Sequence, residues 1–144
     1  MSTSIPMKRS LLFLVALMAA QTSFGQVSAR LMRYADVSDN QITFVYGGDI
    51  WIMSRDGGAA RQLTHSPGEE SWPRFSPDGK EIAFSASYNG NQDIFVIPAE
   101  GGVPVRISYN SFSDRMVEWH PDGERLLFAP AREDRTAGDL NKLL

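Results

Sequence analysis

The feature that most constrains this sequence is that it repeats itself at a fixed offset. Phe75-Ser76-Pro77-Asp78-Gly79-Lys80 returns as Trp119-His120-Pro121-Asp122-Gly123-Glu124, 44 residues on, and Ile82-Ala83-Phe84 returns as Leu126-Leu127-Phe128 at the same offset. In the other direction Asp93-Ile94-Phe95-Val96 matches Asp49-Ile50-Trp51-Ile52, Gly101-Gly102 matches Gly57-Gly58, and Arg106-Ile107-Ser108 matches Gln62-Leu63-Thr64, again at 44. Only Phe84 breaks step, 40 residues after Phe44, because four residues separate Phe44 from Asp49 and eight separate Phe84 from Asp93. Insertions confined to one loop between matching segments are how repeat proteins vary, and a fixed period decides the architecture before any single residue does.

Each copy reads as four antiparallel strands. In the middle copy the first strand ends at Phe75, and the turn Ser76-Pro77-Asp78-Gly79 has Pro preset for the second turn position and Gly free to take positive φ. The second strand runs from Glu81 to Ser87, a polar loop covers Tyr88 to Gln92, and the third strand runs from Asp93 to Ile97. Glu100-Gly101-Gly102 turns the chain into a fourth, Val103 to Ser108. Ile82, Phe84 and Ala86 share one face, whereas Ile94 and Val96 lie opposite Phe95 and Ile97, and Ile50 and Ile52 alternate likewise with Trp51 and Met53. A strand apolar on both faces must be covered on both faces. A small sheet stacked between neighbours is a propeller blade, for which ~40–45 residues is the usual length. A β-sandwich fits less well, because it rarely repeats turn chemistry at a fixed register.

The expected fold is all-β, a partial β-propeller of about two and a half blades over residues 31–64, 72–108 and 116–144, with Leu31 to Tyr34 as a short opening strand. In the third blade either Asp139-Leu140 or Lys142-Leu143 matches Asp93-Ile94. Propellers close with ~4–8 blades, and an incomplete one leaves a bare sheet face and open edges. The chain is therefore expected to be the front of a longer protein, and residues 26–144 alone to be marginal or aggregation-prone.

Ahead of the repeats, Lys8-Arg9 precedes ten apolar residues, Leu11 to Ala20, and then the polar and small residues Gln21 to Gln26. That is a secretory signal, with Ser23 and Gly25 at the −3 and −1 positions and residues 1–25 removed; cleavage after Ala29 is a second option. Ten apolar residues fall short of the ~20 that span a bilayer, so no stable membrane anchor is expected. Lys8 and Arg9 leave with the signal, so 12 bases remain against 17 acids. The expected location is periplasmic or secreted. The acidic balance and the lack of a basic block exclude a nucleic-acid footprint. The absence of cysteine excludes disulfides, thiolate metal sites and thiol nucleophiles.

Little catalytic chemistry is legible. His65 and His120 are the only histidines, one exposed after a fourth strand and the other in a turn, where it takes the place of Ser76. No Gly-x-Ser-x-Gly elbow is present, and no His/Asp/Glu spacing matches a metal site. No catalytic, cofactor-binding or metal-binding residue is expected. The singled-out residues are structural: Gly57, Gly58, Gly101 and Gly102 in hairpin turns, and Pro77-Asp78-Gly79 and Pro121-Asp122-Gly123 in the repeated turn. Asp49 and Asp93, each opening a third strand, are expected to accept backbone N–H bonds at their loops. Trp72, Phe75 and Trp119 are expected in the core between blades.

The stretches Phe75 to Phe84, Asp93 to Val96 and Gly101 to Ser108 resemble the Pro-Asp-Gly propeller units of TolB, of prolyl oligopeptidase-type peptidases and of tricorn-type peptidases. The opening Tyr34-Ala35-Asp36-Val37-Ser38, followed by Ile42 to Trp51 and by Gly68 to Phe75, is most similar to the first blades of the tricorn-type peptidases, with Ala35 where many relatives have Pro. The resemblance implies the N-terminal propeller of an exported serine peptidase. Such propellers guide or sieve peptides for a catalytic domain that lies elsewhere in the protein. The implied partners are peptides, the remaining blades, that catalytic domain and, in the whole protein, further copies of itself. An oligopeptidase-type enzyme or a non-enzymatic TolB-like periplasmic scaffold are the alternatives; TolB carries a separate α/β domain before its propeller, and here at most five residues separate Gln26 from the first blade.

Overall fold

The computed structural model describes residues 31–109, 111–130 and 138–141; the expected signal segment, residues 1–25, lies outside them. Eleven strands form three antiparallel sheets. The first contains β1 (Arg33–Val37), β2 (Gln41–Tyr46), β3 (Asp49–Ser54) and β4 (Arg61–Gln62), in that order. The second contains β5 (Glu70–Phe75), β6 (Glu81–Ala86), β7 (Asp93–Pro98) and β8 (Val105–Arg106), in the same order. The third places β10 (Arg125–Pro130) between β9 (Asp114–Trp119) and β11 (Gly138–Asn141). β1 packs beside β5 and β5 beside β9, so the first strands of successive sheets lie together on the inner side of the stack.

The faces sort as alternation requires. Phe84 pairs with Phe95 and Ile82 with Ile97, and these four with Ala86 meet Ile50, Ile52 and Leu63 of the first sheet. The opposite face carries Ala83, Ile94 and Val96, which meet Met116, Trp119, Leu126 and Phe128 of the third. β7 is therefore buried on both sides, which is why its five residues from Asp93 to Ile97 are all inaccessible.

The repeated turns superimpose in their bonding. Gly79 N–H donates to Ser76 O at 2.8 Å, and Gly123 N–H donates to His120 O at 2.9 Å. Each of these glycines follows the turn at a left-handed φ, 71° and 75°, which a side chain would strain. Asp78 accepts from Lys80 N–H and Asp122 from Glu124 N–H. These bonds, with Ser76 the largest influence on Asp78, hold its carboxyl at about 2; Asp122 is likewise held low, chiefly by Glu124 N–H. Gly68 has a different constraint: a β-carbon there would lie 2.3 Å from Ser87 O, so the chain entering β5 passes too close to the second sheet for any side chain.

Three boundaries differ from the sequence reading. The opening strand is Arg33–Val37 rather than 31–34, because its pairing partner is Ile42 to Val45 and the register carries it to Val37. The fourth strands shrink to residue pairs, since beyond Arg61–Gln62 and Val105–Arg106 the chain leaves the ladder to approach the neighbouring sheet. In the third sheet Leu140 stands opposite Leu126, as Ile97 stands opposite Ile82. Asp139-Leu140 thus takes the level of Val96-Ile97 rather than Asp93-Ile94, the connection from Phe128 to its partner being one residue shorter than that from Phe84. Lys142-Leu143 lies outside the described residues.

Phe84 is fully buried between the first two sheets. Phe84→Ala is expected to cost about 3–5 kcal/mol in chemical denaturation, whereas Val103→Ala, at a position 83% exposed, is expected to cost no more than about 0.5 kcal/mol.

Candidate functional site

The seams between sheets are where polar groups collect, because backbone groups leaving a ladder inside a stack need partners. At the first seam Leu63 N–H donates to Ile50 O, and Ile50 N–H is met by Thr64 Oγ1 at 2.9 Å. Glu70 N–H donates to Gly48 O at 2.9 Å. At the second seam Ile107 N–H donates to Ile94 O, Ile94 N–H is met by Ser108 Oγ at 2.9 Å, and Asp114 N–H donates to Gln92 O at 2.7 Å. Every one of these atoms is displaced by 44 residues from its counterpart. Further ties are specific to one seam. Asp36 accepts from Phe75 N–H at 2.8 Å, Ser85 Oγ accepts from Met116 N–H at 2.7 Å, and Trp119 Nε1–H donates to Arg74 O at 2.9 Å.

Glu70 is the centre of the first seam. It is 2% exposed, and its carboxylate receives Ile50 N–H at 3.0 Å and bonds the hydroxyls of Thr64 and Tyr88. Burial raises its pKa above the ordinary value of 4.5, against the lowering effect of those three bonds, and the neighbouring Asp49 adds to the rise. The sequence reading missed Glu70. The signal was available: Glu70 and Asp114 are 44 apart, as are Thr64 and Ser108.

Glu70 also borders a cleft of about 360 Å³ beside the first strands, lined by Arg33, Tyr34, Ser71, Trp72 and Gln92 among others. Tyr34 and Trp72 both take left-handed φ values, 54° and 55°, at matching places in β1 and β5, where each ladder shifts register. Their rings pack at 4.1 Å, and the Arg115 guanidinium lies 5.0 Å over the Trp72 ring. Phe75 and Trp119 are buried between sheets as expected; Trp72 is half-buried, packed against the core between the second and third sheets. The bulge between Ser71 and Arg74 turns its ring toward Tyr34, whereas Met116, 44 residues on, stays in the core at 1% exposure.

Asp49 and Asp93 require a correction. Each is met by a side chain of its fourth strand and not by a loop N–H. Asp49 Oδ2 accepts from Gln62 Nε2 at 2.9 Å, and Asp93 Oδ2 pairs with Arg106 Nη2 at 2.7 Å. In both sheets the partner lies 13 residues on, where the fourth strand passes the start of the third. His65 is exposed, and His120 lies in its turn against Asp122 and Arg125. Among the described residues no three His, Cys, Asp or Glu side chains converge as a metal site. What the arrangement offers is a lined inner surface and polar seams.

Removing the Asp93 carboxylate leaves the Arg106 guanidinium without its buried partner. Asp93→Ala is expected to cost about 3 kcal/mol and Asp49→Ala about 1 kcal/mol, the second pair being neutral on one side and partly hydrated; paired denaturation curves check the ratio.

The family model described as the tricorn protease N-terminal beta propeller domain matches residues 29–142. Over 68 residues the chain is 41% identical to tricorn protease homolog 2 of Streptomyces coelicolor, a match covering 46% of this chain and 6% of that protein. The crystal structure of the tricorn protease superposes with a TM-score of 0.60 at 27% identity, over 69% of this chain and 11% of that one. A structure described as a TolB from Agrobacterium tumefaciens gives 0.60 at 28% identity, over 66% of this chain and 36% of that one. The chain thus spans about a tenth or less of the length of the tricorn relatives it matches. From the repeat, the stacked four-stranded sheets and these matches together, the chain belongs to the family of tricorn protease N-terminal β-propeller domains.

Proposed function

We propose that this segment is the leading part of a propeller that guides or sieves peptides toward a serine-peptidase domain lying elsewhere in the same exported protein. The observation that carries the reading is the family match across residues 29–142. The inner surface supports it in kind. The first strands lie side by side, and the cleft beside them mixes aromatic rings, the Arg33 guanidinium, hydroxyl and amide groups and the carboxyl groups of Glu69 and Glu70. Such a mixed surface can hydrogen-bond a peptide backbone and suits it more than a phosphate-rich ligand. The charged, apolar and small-residue order of residues 8–25 supports export. Oligomerisation of the whole protein belongs to the same reading. A non-enzymatic scaffold is the second reading, favoured by the likeness to the TolB structure.

The intact protein is expected to hydrolyse short unstructured peptides, to spare folded proteins, and to lose that activity to a serine-directed fluorophosphonate. The 144-residue chain alone is expected to hydrolyse neither. An intact protein that binds partners but cleaves no peptide would support the scaffold. N-terminal sequencing of the mature protein is expected to begin at Gln26.

A further inference from the structure

Glu70 is a titratable group that the fold buries without needing its charge. It sits where the first and second sheets meet, on β5, and reaches across to the backbone of β3 and the hydroxyl after β4. Its other oxygen bonds the Tyr88 hydroxyl, which follows β6 and packs on the core of the same seam. Among the described residues no basic side chain is bonded to it; the partners are one N–H and two hydroxyls. Hydroxyls can turn to donate or accept, so all partners remain satisfied whether the carboxyl carries a proton or not. Tyr88 has Ser66 as a second partner for that rearrangement, and its own pKa is raised by burial and by Glu70.

We propose that the Glu70 cluster is a proton-sensitive tie between the first two sheets, tightest when the carboxyl is protonated and loosened as it ionises. The inference stands independently of the peptidase reading. The sign follows from linkage. Burial raises the folded-state pKa of Glu70 above 4.5, so the folded seam binds the proton more tightly than the opened one. The extra stability is fully present below pH 4.5 and is lost as pH rises through the folded value. Other charges face the site. Asp49 on β3 opposes ionisation, Arg33 on β1 and Glu69 line the same cleft, and His65 follows Thr64. Asp49, Glu69 and His65 are present in both wild type and Glu70→Gln, so the comparison isolates Glu70 together with its coupling to Asp49.

The test is hydrogen–deuterium exchange by mass spectrometry on the intact protein between pH 4.5 and 8, corrected for intrinsic exchange, following peptides that contain Ile50 and Glu70. Wild-type protection is expected to fall with rising pH, by several-fold more than in Glu70→Gln; tenfold corresponds to one unit of pKa difference between closed and open seam. Tyr88→Phe keeps the acid but removes a bond that lowers its pKa, so its loss of protection is expected at higher pH than wild type. That variant carries the test if Glu70→Gln does not fold. Parallel profiles in wild type and Glu70→Gln, protection that rises with pH relative to Glu70→Gln, or an unmoved transition in Tyr88→Phe would each overturn the proposal.

Discussion

The structure depends on one constraint: the central strands of the second sheet, β6 and β7, are covered on both faces. β7 points Ile94 and Val96 one way and Phe95 and Ile97 the other, and all four are buried. A sheet of four short strands cannot satisfy such a pattern alone. It has to be stacked between two others, and the two flanking sheets must offer complementary apolar faces. Ile50, Ile52 and Leu63 do so on one side, and Met116, Trp119, Leu126 and Phe128 on the other. The 44-residue repeat supplies that complementarity at little evolutionary complexity, since one module's faces are made to meet its own copies.

Stacking creates a second requirement at the edges. Where a fourth strand leaves its ladder and the next inner strand begins, backbone donors enter the seam with no strand to pair. Thr64 and Ser108 answer this with hydroxyls at identical distances to Ile50 N–H and Ile94 N–H. Glu70 and Asp114, 44 residues apart, differ by a methylene, and the longer one bonds Tyr88. The apolar frame, the backbone ties and the Thr64 and Ser108 hydroxyls repeat from seam to seam, while individual side chains such as Glu70 and Asp114 differ. The cleft beside Tyr34 and Trp72 is another such departure.

The architecture was legible in the sequence because periodicity and turn chemistry are local. Pro77-Asp78-Gly79 and its copy announce a hairpin whatever surrounds them, and alternation assigned Phe84 and Phe95 to one face and Ile94 to the other. Side-chain partnerships were less legible because they depend on which atoms meet across space. Asp93 was read as a loop acceptor, since nothing in its neighbourhood along the chain says that Arg106 returns beside it. Trp72 lies only in part in the core between the second and third sheets, because the bulge that turns its ring toward Tyr34 is a backbone event without a residue signature of its own. Glu70 was passed over because a buried acid is normally unfavourable, and its three donors come from β3, the segment after β4 and the loop after β6.

The central claim is that residues 33–62 and 70–106 are copies of one module stacked face to face within a tricorn-type propeller. A high-resolution experimental structure of the intact protein tests it most directly. The Phe84 and Phe95 rings are expected between the two sheets, with the Glu70 carboxylate about 3.0 Å from Ile50 N. Two sheets that lie apart, or that fold to different strand orders, would contradict it.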